Sequence, residues 1–259
     1  MQSFLQGLKD SWNLRPVLLN ILQKEGIQTL FMKCVLFNGV FFLGSQIFLH
    51  YCLVPCFDFI LDSIRIKNWT PIIQIYHLFW SLPLYSIGIF INNYWYQEIA
   101  TMSMPRRRRK ANLSKIIGEK VYRILLYCFL GMQILILYSV PYTRFISYFG
   151  VSWIYAFMIF EYKWNLLGYS IDYQIEIFES NAIYFLGFGA TMSFVTIALP
   201  TLIANGIASL IFPLAMMATT ILSINPNTTK WPLFTLSEFL SLFLIRTISP
   251  KQSRNNRKI

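Results

Sequence analysis

A chain of 259 residues with 56% hydrophobic residues, only 13% charged residues and a mean hydropathy of +0.50 cannot cover a water-soluble surface, which takes roughly a quarter charged residues. The composition excludes a soluble globular domain and points to an all-α, polytopic integral membrane protein. The net charge of +11 therefore reads as a sidedness signal, with anionic lipid as its natural partner and no role in binding nucleic acid.

The first 33 residues are expected to form a cytosolic amphipathic arm. Phe4, Leu8 and Trp12, then Leu18, Leu19 and Leu22, recur at near-helical spacing, with Lys9, Asp10 and Arg15 between them and Pro16 interrupting. That pattern predicts two short helices lying in the membrane interface, or docked in a soluble partner's groove. Charges at Lys9, Asp10, Arg15, Lys24, Glu25 and Lys33 break any cleavable-signal pattern, so the first membrane segment is expected to serve as the targeting signal.

Residues 34–222 form the expected membrane domain. Apolar windows near 35–57, 71–96, 121–140, 145–160, 182–199 and 201–222 approach or exceed the ~20 residues that cross a ~30 Å hydrocarbon core. They predict about six membrane helices rather than a barrel, because the windows are long and apolar all round. "PYTRF" at 141–145 splits one pair of windows, and Pro200, with Gly187, Gly189, Gly206 and Pro213 nearby, marks another. Either pair is expected to be a spanning hairpin or a re-entrant one that returns to the same side. Residues 223–259 are expected to give an interfacial helix, from "WPLFTLSEFLSLFLI", and a basic cytosolic tail.

With six crossings, eighteen of the 22 Lys and Arg residues fall on one side, three (Arg65, Lys67 and Arg144) on the other, and Arg123 lies at a helix start. The positive-inside rule then places both termini in the cytosol. The sequon at Asn68 falls in a short outer loop as a glycosylation candidate, whereas Asn112 and Asn227 are expected to stay unmodified. The run Arg106, Arg107, Arg108, Arg109 and Lys110 reads first as an anchor on anionic lipid.

Chemistry-bearing motifs are sparse. The cysteines, Cys34, Cys52, Cys56 and Cys128, sit in or beside apolar windows and read as packed thiols, with no metal site. Asp58, Glu98, Glu119, Arg123, His50 and His77 are the ionisable groups nearest the windows, and the windows are read as lacking a buried basic residue. No metalloprotease, nucleophile-elbow or P-loop pattern occurs, so no catalytic residue or cofactor is assigned and the chain is read as a non-enzyme. Gly187 and Gly189 in "GFGAT" are expected to support close helix packing. Glu161, Tyr162, Lys163 and Trp164 read as a belt where the chain leaves the bilayer. They open a 161–181 cytosolic loop, acidic through Asp172, Glu176 and Glu179. Within it Glu161, Lys163, Trp164 and Glu179, like the basic run, are expected to carry cytosolic contacts.

Blocks along the chain, "GLKDSW", "FNG", "SLPL", "NNYWYQEIA", "LSKIIGE", "FEYKW", "FESNAIYFLGFGATMSF" and "SLIFPL", together resemble the etoposide-induced protein 2.4 family over most of residues 5–220. That family is more distantly similar to the CysZ sulfate permeases, whose fold mixes spanning helices with partly penetrating hairpins. The resemblance implies an endoplasmic-reticulum membrane protein acting in autophagosome maturation and degradation, with a role in growth suppression or apoptosis. It further implies contacts with the autophagy machinery or importin β. The alternative it implies is an anion (sulfate) channel or transporter. This chain departs from the family pattern in a shorter linker after "GLKDSW" and a short tail, which removes the segments to which some of those contacts would belong. Assembly into an oligomer is compatible with all of these expectations.

Overall fold

The computed structural model describes residues 2–56, 59, 79, 82–104, 113–199 and 201–248. All regular structure among them is helical, as expected for a polytopic membrane protein. Outside them lie Asn68, Asn112, the Arg106–Lys110 run, Asp58, His77, Arg65, Lys67, Pro200, the first part of the second apolar window and the basic tail.

The arm folds as helices α1 (Gln2–Ser11) and α2 (Leu14–Gln23). The break falls at Asn13, not at Pro16 as the sequence led us to expect. Pro16 occupies the first turn of α2, where its missing N–H has no intrahelical partner to lose. Lys24 then turns the chain in an extended conformation into α3 (Glu25–Leu36). The same rod continues through π-helical Phe37–Gly44, one turn of α4 (Ser45–Phe48) and π-helical Leu49–Leu53. Helix α5 spans Leu82–Ser103.

Helices α6 (Leu113–Ser139) and α7 (Arg144–Leu167) form a long hairpin. At 1.5 Å per residue their 27 and 24 residues give about 40 and 36 Å, more than a hydrocarbon core. Pro141 sits just past α6, and Thr143 closes the turn by donating its hydroxyl to the Leu137 carbonyl at 2.7 Å. Ile117–Ser139 and Phe145–Leu167 are each long and apolar enough to cross a membrane unaided.

The expected loop beginning at Glu161 is corrected: α7 runs on through "FEYKW" to Leu167, and residues 171–180 are themselves helical. Charge does not end this helix. It stops at Gly168, whose φ of 75° lies in the left-handed region and whose N–H donates to the Asn165 carbonyl, a closure that glycine adopts without a Cβ penalty. Helix α8 (Ile171–Ser180) follows and meets α9 (Ala182–Ala198) at 93°. Helix α10 (Thr201–Thr219) makes α9–α10 a second, shorter hairpin, and α11 (Thr235–Ile248) closes the fold.

The core sits where α7, α8, α9 and the start of α11 converge on aromatic rings. Phe157 lies 5.3 Å from Phe178 and 5.0 Å from Phe234, and Phe178 stacks on Phe185 at 4.4 Å. Phe160 and Trp164 close on Phe185 at 5.0 and 5.9 Å. Edge-on and offset pairs of this kind add stabilisation beyond simple contact area. Helix α11 packs on α6 through the small, buried Ser237 and Ser241. Of the four cysteines only Cys34 is packed inside; Cys52, Cys56 and Cys128 are exposed, which corrects the expectation of packed thiols.

Candidate functional site: a polar joint between the hairpins

Polar side chains within the two long helices gather near their open end, away from the Pro141 turn. Arg123 on α6 pairs with Glu161 on α7 at 2.8 Å, the side chains being only 13% and 20% exposed. The same guanidinium donates to Gln174 Oε1 at 3.0 Å and Asn165 Oδ1 at 3.2 Å. Tyr127 donates its hydroxyl to Glu161 at 2.5 Å, and Asn165 donates to the other carboxylate oxygen at 3.2 Å. Three helices thus share one network. Removing water from an ion pair is repaid only when geometry and further hydrogen bonds compensate, and here both partners have them.

Two residues further along α7, Lys163 is buried, which corrects the reading that no basic residue lies inside. Its Nζ donates to the carbonyls of Thr219, at 2.9 Å, and Leu222. A cation on the last carbonyls of α10 satisfies orphan acceptors and opposes the negative end of the helix dipole. Lys24 does the same for α5, donating to the Met102 carbonyl at 3.0 Å.

The segment after α10 has no regular structure and is strapped along α8. Asn181 donates to the Asn225 carbonyl at 2.9 Å and accepts from Asn227 at 2.7 Å. Glu179 accepts from the Trp231 N–H through its backbone carbonyl and from the Phe234 N–H through its carboxylate, both at 2.9 Å. Lys230 pairs with Glu176 at 2.7 Å on the outside. Between α6, α8 and α11 a cavity of about 330 Å³ is walled by Glu119, Tyr122, Asp172, Glu238 and Leu242, among others. Burial there, reinforced by Glu179 and Asp172, pushes the Glu238 carboxyl above its ordinary range.

On the far side of the core, α1 lies against α9 at backbone distance. A Cβ on Gly7 would collide with the Tyr184 carbonyl oxygen, and one on Gly187 with that of Phe4. Polar clasps flank the crossing: Tyr184 donates to Asp10 at 2.9 Å and Trp12 Nε1 to Thr191 at 2.9 Å. Helix α1 therefore docks on its own chain through Gly7, with Phe4 and Leu8 half-buried, whereas Trp12, Leu18, Leu19 and Leu22 of the predicted apolar face stay exposed. Gly189 faces the other way, where a Cβ would meet the Ser152 carbonyl oxygen of α7. Asn38 and Asn92 exchange reciprocal amide hydrogen bonds at 3.0 and 2.8 Å in a buried position between the first rod and α5.

Glu161, Lys163, Trp164 and Glu179 thus all have partners inside the chain, and Gly187 and Gly189 lie at close crossings. Arg106 to Lys110 and Asn68 fall outside the described residues. Sequence reasoning singled out Arg123 as an ionisable residue in an apolar window but not its partners, and it missed Tyr127, Gln174, Asn181 and the Asn38–Asn92 pair. Among the described residues no group of His, Cys, Asp and Glu is arranged to hold a metal.

A family model described as sulfate transporter CysZ/etoposide-induced protein 2.4 matches residues 14–205. A protein from Dictyostelium discoideum named Protein EI24 homolog is 32% identical over 233 residues, covering 86% of this chain and 74% of its own. A protein of the same name from Arabidopsis thaliana is 25% identical over 261 residues, covering 84% and 82%. No solved structure matches. The blocks that mark the likeness also meet in space: "GLKDSW" on "NAIYFLGFG", "FNG" on "NNYWYQEIA", and "FEYKW" across the Arg123 network. On a match that spans most of its length, the chain belongs to the EI24 (CysZ/etoposide-induced protein 2.4) family.

Proposed function

We propose that this EI24-family chain is a multi-pass protein of the endoplasmic-reticulum membrane. It acts in autophagy at the maturation and degradation of autophagosomes, with a role in growth suppression or apoptosis, and without catalysis of its own. The observation that supports this most is the likeness to EI24 homologs along 86% of the chain. The geometry adds a mechanism. Lys24 on the end of α5, Lys163 on the end of α10 and the Arg123 network across α6, α7 and α8 brace these helix ends as a platform. With both termini in the cytosol, the Arg106–Lys110 run, which follows α5 in the sequence, is read as the contact for anionic lipid and for soluble partners, the autophagy machinery or importin β among them. The test is rescue of autophagic degradation in cells lacking the protein. The wild-type chain restores it, and a variant with Arg106, Arg107, Arg108 and Arg109 changed to Glu inserts normally but does not. Failure of the wild type sinks the autophagy role, and full rescue by the variant sinks the contact role of the run.

One observation favours a second reading, anion (sulfate) conduction: a basic residue, Lys163, is buried inside a helix long enough to span. Its ammonium is engaged by two carbonyls and the neighbouring Arg123 by Glu161, so conduction requires one of them to be released. Sulfate uptake into liposomes holding the purified protein, abolished by Lys163→Met, is the result this reading expects.

A further inference from the structure

The long hairpin supplies a ruler. Phe145–Leu167 of α7 is 23 residues long, and Phe157, its thirteenth residue, stands at the middle, about 15 Å from the Leu167 end. Phe178 of α8 and Phe234 of the strap both pack on Phe157, at 5.3 and 5.0 Å. Helix α8 therefore starts near the open end, where Gln174 meets Asn165 at 3.2 Å, and descends to mid-span. Gln133, the seventeenth residue of the 23-residue span in α6, donates to Ser237 at 2.9 Å, so the start of α11 lies deeper still.

The strap between Leu222 and Phe234 thus runs at membrane depth as irregular backbone. It also brings charge there: Lys230 and Glu176 form an ion pair whose side chains are 49% and 43% exposed. Thr228 and Thr229 beside them are exposed too. Hydrocarbon tolerates neither irregular backbone nor an open ion pair; both persist at depth only against protein or water. These side chains are open, so protein does not cover them.

We infer that a water-filled recess enters the membrane from the open end of the α6–α7 hairpin and reaches about its midplane, walled by α8 and residues 225–231. Its charge favours hydrated cations over anions. Asp172 and Glu238 line the cavity and Glu176 and Glu179 the wall, against Lys230 on the strap. An anion path would have to run elsewhere in the molecule.

The full-length protein in lipid nanodiscs, with both faces open to solvent, tests this with thiol reagents. Native Cys128 is the twelfth residue of the 23-residue span in α6 and is exposed on its outer side, so it serves as a lipid-facing control at matched depth. In T229C, and in T228C as a second variant, the new thiol reacts with water-soluble methanethiosulfonates at least about tenfold faster than Cys128, because only a hydrated thiol ionises. The cationic reagent outpaces the anionic one beyond their ratio toward free cysteine. The recess is ruled out if both new thiols are as inert as Cys128. A Cys128 as reactive as they are removes the ruler, and faster reaction with the anionic reagent overturns the assignment of charge. None of these outcomes depends on the autophagy role.

Discussion

The α9–α10 hairpin is the more apolar in sequence, yet it is the α6–α7 hairpin that meets the bilayer. In the candidate spans of α6 and α7 only 11% and 33% of residues are buried within the protein. Ile124, Met132, Leu135, Ile136 and Phe145 point outward, where acyl chains take the place of core. Helix α9 has 17 residues and buries Tyr184, Phe185, Gly187, Phe188, Gly189, Met192 and Ser193 against α1, α7 and α10. Its ~26 Å falls short of a ~30 Å core. One hairpin measures the bilayer, and the other is held by protein.

That contrast breaks most sharply at the polar network where the long hairpin meets α8. Glu161→Ala leaves Arg123 without its carboxylate and Tyr127 without its acceptor. The expected loss is up to about 3 kcal/mol, below the cost of a fully buried pair because the side chains are partly exposed. Unfolding in mixed micelles measures it, and Arg123→Met combined with Glu161→Met recovers much of the loss.

The glycines sharpen the comparison. A Cβ at Gly189 meets the Ser152 backbone, whereas one at Gly131 of α6 finds open space. Gly189→Ala is therefore expected to cost about 1–3 kcal/mol. Gly131→Ala is neutral or stabilising by up to about 1 kcal/mol through helix propensity alone. Equal effects in the same unfolding assay would show that the two hairpins share one environment.

The smallest effect concerns α11, which leans on the long hairpin. Glu238 has a carboxyl raised in the folded state by burial and by Glu179 and Asp172. A raised folded-state value means its contribution to stability is full below the ordinary carboxylate range and is lost as pH rises through the raised one. Glu238→Gln should therefore stabilise the protein at neutral pH, by under about 1 kcal/mol at this half-exposed site. The gap from wild type closes as pH falls below about 4. A gap that widens on acidification would reverse the sign assigned to this group.

Much of this fold was legible because membranes demand few things of a sequence. Apolar windows gave the helices, Pro141 gave the turn of the long hairpin, and the small residues Gly187 and Gly189 gave close crossings. Charge was misleading as a boundary marker. Glu161 and Lys163 looked like an exit from the bilayer, but each has a partner more than thirty residues away, and no local pattern announces such a partner. Pro16 misled as a break because its effect depends on where the helix starts, and α2 starts at Leu14.

By itself, the sequence determined that this chain lives in a membrane as helices, and the family to which it belongs. These follow from composition and short-range periodicity, because the cost of unpaired backbone in hydrocarbon acts on every residue alike. Only the tertiary structure decided that the arm docks on α9, that α8 bends by 93° into α9 at mid-span, and that Arg123 and Lys163 are spent inside the protein. Those outcomes rest on hydrogen bonds and backbone contacts between residues far apart in the chain, whose geometry exists only once the helices have packed.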